Sequence, residues 1–316
     1  MYRAWIFIGA IVALVAAWFA VCKILYSAKR ISANRYGYLA RVFPMRFLKY
    51  LLLVIAAFAI LMPFMYALLL GFKTGDDVFR QSPIPEKFVF TNYVEIFRDG
   101  DIRLLSGILN SFAYALPPCI VGVLSSTMAA YALSRLHFKG RDKIFGLLFA
   151  TICIPGVITL IPSYIMFAKL YNWTDTPLPL IIPGMCGSVT VIFFLRQFLL
   201  GLPRELDEAG IIDGLNKGGV FFYIIMPLSW PAMLAQFLLA FNGGYNDFMG
   251  PLMYIGSNKQ LYTIQLTVYS MYSSNVKQIE KVMATCTVAL IPSIVLFAFA
   301  QKYFLGSAVS ADSIKG

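Results

Sequence analysis

The sequence predicts an all-α polytopic membrane protein. Three observations predict it: the composition, the length of the uncharged runs, and the basic residues that flank them. The chain is 59% hydrophobic and only 13% charged, with a mean hydropathy of +0.75. Soluble domains carry about 25% charged residues. Crossing the hydrocarbon core takes about 20 mostly apolar residues. Seven runs meet that requirement: roughly Ala4–Leu25, Leu51–Phe72, Leu104–Ser134, Ile144–Ala168, Leu178–Leu195, Gly218–Tyr245 and Val282–Gln301.

The first run has about 22 apolar residues, longer than the 7–15 of a secretory signal. No small-residue cleavage site precedes the basic segment after it, so it reads as a retained anchor. The third and sixth runs exceed one crossing, which implies tilt or projection past the lipid. Prolines recur inside the runs: Pro117-Pro118, Pro155, Pro162, Pro183, Pro227, Pro231 and Pro292. Each removes an intrahelical hydrogen bond and is expected to kink its helix. Such breaks survive in lipid only where neighbouring helices or a wet cavity satisfy the freed groups. Kinked packing and a cavity-lining bend both remain open.

Basic residues set the orientation. Lys29, Arg30, Arg35, Arg41, Arg46 and Lys49 lie between the first two runs without an acidic residue. Arg135, Lys139, Arg141 and Lys143 lie between the third and fourth, against Asp142 alone. Both segments are expected in the cytoplasm, with the N-terminus outside and the C-terminus inside. The segment from Lys73 to Arg103 mixes five basic with six acidic residues, which suits the outer side.

The net charge of +11 therefore reads as a topological signal. It flanks the runs and forms no single patch of the kind that binds nucleic acid. Cys22, Cys119, Cys153, Cys186 and Cys286 are scattered singly, so neither a disulfide framework nor a zinc site is suggested. His137, the sole histidine, has no other ligand type nearby. Ionisable groups are nearly absent from the middle of the runs. Proton- and ion-coupled transporters keep such groups in the membrane. Their scarcity argues against a self-contained secondary transporter or channel, and no catalytic constellation supports a membrane-embedded enzyme.

One acidic segment stands between the fifth and sixth runs. Pro203 can open a helix, since its missing N–H costs nothing at that position. Glu205, Asp207 and Glu208 then meet the positive end of the helix dipole. Gly214 suits the stop. Leu206, Ala209, Ile212 and Ile211 make a narrow apolar stripe at helical spacing. The predicted helix has about 11 residues and is roughly 16 Å long. Physics alone leaves two readings: a surface connector, or an element docked in a partner's groove.

Leu202-Pro203, Glu205-Leu206, Glu208-Ala209, Ile212-Asp213-Gly214, Ile224, Pro227-Leu228 and Pro231 together resemble the EAA signature of bacterial ABC importer permeases. Gly210 stands where alanine is usual, which suggests a looser docking helix, and Met226 replaces leucine. Ala129–Phe145, Ile154–Phe167, Phe241–Ile255 and the C-terminal segment resemble the carbohydrate-importer branch of maltose and glycerol-phosphate type. Tyr245 stands where tryptophan is common in that branch. The match runs from about Leu51 to Gly316.

The resemblance implies a six-helix type I ABC importer permease core over about 50–316, with a coupling helix near 203–214. Residues 1–49 would add one N-terminal transmembrane helix and a basic cytoplasmic loop. It further implies a multi-pass subunit of the bacterial cytoplasmic membrane. Its partners would be a second homologous permease subunit, two ATPase subunits and an extracytoplasmic solute-binding protein, and its substrate a carbohydrate. The chain lacks a GxxxxGK[ST] phosphate loop. It is expected to be no enzyme itself and to hold no cofactor, with ATP and Mg bound by the ATPase subunits. Glu205, Glu208, Ala209, Gly210, Ile212, Asp213 and Gly214 would couple to the ATPase. Asn242, Tyr245 and Asn246 are candidates for the substrate pathway, although anchoring at headgroup depth is the more ordinary role for such a tyrosine. Tyr254, Gly256 and Asn258 are candidates for contact with the binding protein.

Overall fold

The computed structural model describes residues 23, 33–80, 82–274 and 278–313. Apart from Lys23, the first predicted span lies outside the described residues, as do Lys29 and Arg30. All regular elements among those described are helical. They are α1 (Ala33–Gly71), α2 (Thr91–Arg98), α3 (Leu104–Arg135), α4 (Arg141–Ile152), α5 (Gly156–Ile165), α6 (Leu178–Met185), α7 (Val189–Leu200), α8 (Glu205–Ile212), α9 (Lys217–Val220), α10 (Met226–Tyr245), α11 (Met249–Ile255), α12 (Ile264–Ser274) and α13 (Ile279–Ser313). Two π turns, Met166–Leu170 and Phe221–Ile225, follow α5 and α9. The chain divides into two units, 1–66 and 67–316. Apart from Lys23, the described part of the first belongs to α1, which continues to Gly71.

In the second unit α3 is the central element, packed by α6, α7, α10 and α12. Its sequence explains this. Gly107, Ser111, Ala115, Cys119, Gly122, Ser126, Ala130 and Ser134 fall three or four apart and are all buried. A stripe of small residues lets helix backbones approach closely, which is how helices associate where lipid removes the hydrophobic drive. At Gly122 the carbonyl of Gly184 leaves no room for a Cβ. The same stripe satisfies a break. Gly187 takes φ +99 between α6 and α7. Ser126 Oγ accepts from the Ser188 amide (3.0 Å), and Ser125 Oγ donates to the Met185 carbonyl (3.1 Å). Hydroxyls from a neighbouring helix thus replace the interrupted ladder.

The loop after α1 is ordered by its polar groups. Lys73 is fully buried, and its Nζ donates to the carbonyls of Asp77 (3.1 Å) and Ser82 (2.6 Å). Asn92 Nδ2 donates to the carbonyls of Gly71 (2.9 Å) and Lys73 (2.8 Å), so the end of α1 is capped from α2.

Five described helices are long and apolar enough to cross a membrane: Met45–Gly71, Leu104–Arg135, Leu178–Leu200, Lys217–Tyr245 and Ile279–Phe299. The predicted span Ile144–Ala168 is not one kinked rod. It is two pieces, Arg141–Ile152 and Gly156–Leu170, bent by 92°. Pro155 lacks an N–H and sits in extended backbone (ψ 129), where it starts α5 and ends α4. Helices run on through Pro117-Pro118, Pro162, Pro231 and Pro292. Each costs one hydrogen bond, and the rest of the ladder holds.

Gly122→Ala tests the central packing. Forcing a methyl into that contact costs roughly 1–3 kcal/mol by overpacking. The unfolding midpoint of the detergent-purified protein should fall; an unchanged midpoint would contradict the packing described.

Candidate functional site

The segment between α7 and α10 carries the acidic motif. Helix α8 has 8 residues, shorter than predicted: it begins at Glu205 after Arg204, and Pro203 lies ahead of the helix and does not open it. The amides of Asp207 (2.9 Å) and Glu208 (3.2 Å) share the Arg204 carbonyl. Its end follows the sequence expectation. Gly214 takes φ +88, Leu215 N–H donates to the Gly210 carbonyl (2.9 Å), and Gly214 N–H donates to Ile211 (3.0 Å). That pair of bonds is a Schellman motif, which needs a left-handed residue where Gly214 stands. Asn216 then caps α9 by accepting from Gly219 N–H at 2.7 Å.

The two faces of α8 differ. Ile212 is 85% exposed and Ile211 53%, and Glu205, Glu208, Ala209, Asp213 and Gly214 are also exposed. Gly210 is buried. A Cβ added there would lie 2.6 Å from Ile224 Cδ1 and 3.1 Å from Val220 Cγ2. The missing methyl of Gly210 lets α8 press against the start of the next span.

Asp207 also faces inward. Its Oδ2 pairs with Arg135 Nη1 at 2.8 Å, with side chains only 19% and 5% exposed. Arg135 Nη2 donates to the carbonyls of Leu199 (2.6 Å) and Leu202 (2.7 Å). One guanidinium at the end of α3 thus holds the end of α7 and the start of α8. Arg196, on α7, returns the contact. Its Nε donates to the Leu133 carbonyl (3.2 Å), its Nη2 lies 3.6 Å from Asp142 Oδ1, and it stacks 4.0 Å over the Phe145 ring. Sequence reasoning counted Arg135 only as a topological charge and passed over Arg196. The available signal was an arginine in or near the last turn of each apolar run, where helix carbonyls lack partners.

The other candidate sites separate. Tyr245 is fully buried, stacked on Phe241, and donates to the Ala289 carbonyl at 3.1 Å. It is a core residue and presents no face to a solute or to headgroups. Asn242 and Asn246 are exposed and joined: Asn246 Nδ2 donates to Asn242 Oδ1 (3.0 Å) and to its carbonyl (2.9 Å). Gln265, which the sequence did not single out, donates to Asn246 Oδ1 at 3.1 Å and extends this amide row. Asp247 turns away from the row and lines a cavity of about 250 Å³ with Ser111, Tyr114, Ser188 and Thr263. Tyr254 stacks on Tyr164 at 5.9 Å, and burial followed by that neighbour raises its hydroxyl pKa. The Gly256 carbonyl accepts from Tyr262, and Asn258 caps the turn that follows. Tyr254–Asn258 is therefore an ordered corner.

Removing the arginine clamp should be severe. Arg135→Ala would strand the carboxylate of Asp207, and breaking a buried pair from one side costs about 3–5 kcal/mol. Asp207→Asn keeps a hydrogen-bonding group and should cost less. Thermal midpoints of the two variants check the order, and equal losses would show that the pair is not the anchor.

A family described as "Binding-protein-dependent transport system inner membrane component" matches residues 122–307. The arabinooligosaccharides transport system permease protein of Bacillus subtilis (strain 168) is 31% identical over 235 residues, covering 73% of this chain and 81% of that protein. The trehalose/maltose transport system permease protein of Thermococcus litoralis is 29% identical over 276 residues, covering 85% and 98%. A crystal structure of a bacterial ABC transporter involved in the import of the acidic polysaccharide alginate contains a chain of similar fold. Its TM-score is 0.70 at 20% identity, with 87% of this chain and 99% of that chain covered. With an all-helical fold of several apolar spans and a family match over more than half its length, this chain belongs to the binding-protein-dependent transport system inner membrane components.

Proposed function

We propose that this chain is the permease subunit of an ATP-driven carbohydrate importer, and that it forms half of the translocation pathway. The observation that carries this reading is the build of α8. Its apolar residues Ile211 and Ile212 point outward, while Arg135 pins its inner side to the ends of α3 and α7. An exposed apolar ledge on a rigidly anchored helix suits a groove on a separate ATPase subunit. Glu205, Glu208, Ala209 and Asp213 border the ledge, Gly214 ends it, and Gly210 seats it. ATP and Mg would be bound by two such ATPase subunits. A second homologous permease would complete the pathway, and an extracytoplasmic binding protein would deliver solute near Tyr254, Gly256 and Asn258. The transport names of the relatives, arabinooligosaccharides and trehalose/maltose among them, support a sugar or oligosaccharide. The basic flanks support a cytoplasmic α8 and C-terminus and an external N-terminus.

The break between α4 and α5 bears on the pathway. Residues 151–158 are all exposed, and the amides of Cys153 and Ile154 fold back on Ala150 and Thr151. Irregular backbone at membrane depth is tolerated only against protein or water. This break therefore belongs on the pathway side or against the partner permease. The amide row Asn242–Asn246–Gln265 offers donors and acceptors of the kind that bind sugar hydroxyls.

Two measurements test these assignments. Burying an isoleucine contributes about 1.5–3 kcal/mol, so Ile212→Asp should weaken recovery of the ATPase with the permease about 10- to 100-fold and abolish transport. Undiminished recovery rules out α8 as the docking element. For the break, a variant retaining Cys153 as its only cysteine should react in the assembled complex with a charged, membrane-impermeant thiol reagent. A Cys153 inert in the assembled complex but reactive in the permease freed of its partner would put the break in that interface; one inert in both while detergent-unfolded protein reacts would sink the assignment.

A further inference from the structure

Beside α8 lies a cleft of about 210 Å³, walled by Tyr131, Arg135, His137, Arg204, Asp207 and Lys217 among others. Its charges do not cancel. Arg135 and Asp207 neutralise each other across 2.8 Å. What remains on the walls is Arg204, Lys217, His137 and Glu208. None of these four side chains makes a hydrogen bond or an ion pair among the described residues. Two permanent cations and an imidazole thus face one carboxylate. The Arg135 side chain is 5% exposed with its two terminal nitrogens engaged, and the pair leaves one buried donor, Arg135 Nε, and one buried acceptor, Asp207 Oδ1, without partners. A buried charged donor left unmet is costly, and native structures rarely leave one so.

We propose that this cleft is a socket for one carboxylate side chain of the ATPase subunit. The inference rests on the docking reading of α8 and specifies a second, polar contact next to the apolar one. Ile211 belongs to both surfaces: it is half of the outward ledge and part of the cleft wall. A partner seated on the ledge therefore covers the cleft mouth. An aspartate or glutamate there meets Arg204 and Lys217. A lysine would meet the same cations and be repelled. The apolar ledge would supply most of the affinity, and the socket would fix register and speed encounter, the usual division between apolar and charged contacts at an interface.

The experiment is zero-length carbodiimide cross-linking of the purified complex, followed by peptide mass spectrometry. Such a reagent joins an amine to a carboxylate only when the two are in contact. The expected product is an amide between Lys217 Nζ and one aspartate or glutamate of the ATPase, absent in Lys217→Arg. The double variant Arg204→Glu, Lys217→Glu should raise the Kd for the ATPase at least tenfold at low salt. The gap should shrink as salt screens the charges. An intact complex in which Lys217 forms no link to the ATPase, or equal affinity of the double variant at low salt, overturns the socket while leaving α8 as the dock. A link from Glu208 to a partner lysine overturns its sign. Loss of the docking reading itself looks different: Ile212→Asp would then leave ATPase binding intact.

Discussion

The acidic segment around α8 depends on how two helix ends are neutralised. The C-terminal ends of α3 and α7 meet. Each brings carbonyls without helical partners and the negative end of its dipole, so the two ends would repel if bare. Arg135 and Arg196 resolve this by exchange: each helix sends a guanidinium to the other's last carbonyls. A guanidinium suits the task because its planar fork can serve several oxygens at once and stays charged when desolvated. Asp207 completes the arrangement by giving Arg135 a counter-charge, and that single pairing orients α8. Such a pair is weak as a source of net stability, since desolvation consumes most of its Coulombic gain. What it does supply is position.

Position is also what the small-residue stripe of α3 provides. Where lipid is as apolar as leucine, close backbone contact and interhelical hydrogen bonds must replace the hydrophobic effect as the drive for association. The stripe brings α6 and α7 near enough for Ser125 and Ser126 to satisfy the interruption at Gly187. The helix that supports the break is thus the one that carries Arg135 at its end. Helix α8 is joined to α3 by a charged, buried contact in addition to the chain that links them. Coupled elements of this kind need two well-defined packings, and tightly packed contacts favour that over gradual deformation.

Much of this was legible in the sequence, and the omissions have physical causes. Apolar run length located every described span, because backbone satisfaction in lipid leaves few alternatives. Gly214 marked the end of α8 because its φ is one that glycine adopts without strain. The direction of Asp207 was not legible: three carboxylates in four residues look alike until the partner of one is known, and Arg135 is 72 positions away. Tyr245 was misjudged for a related reason. An aromatic beside two glycines and two amides reads as a site, yet packing against Phe112 and Phe241 decided its place. Pro155 parts two helices, whereas Pro117-Pro118 sits within an unbroken one.

The π turn Phe221–Ile225 sits between α9 and α10, at the start of the sixth predicted run. A π turn is one residue longer than the α turn it replaces, and one residue corresponds to about 100° of rotation at 3.6 residues per turn. The turn therefore acts as a phase shifter. It sets the azimuth of α10 independently of α9, so that Val220 and Ile224 can face Gly210 while Ser229, Ala232 and Met233 face the bundle. Angular alignment between the motif and the span it precedes is thus carried by a single surplus residue. A family member that lost or gained one residue here would keep its helices and its motif, yet present the motif at a different angle to whatever binds it.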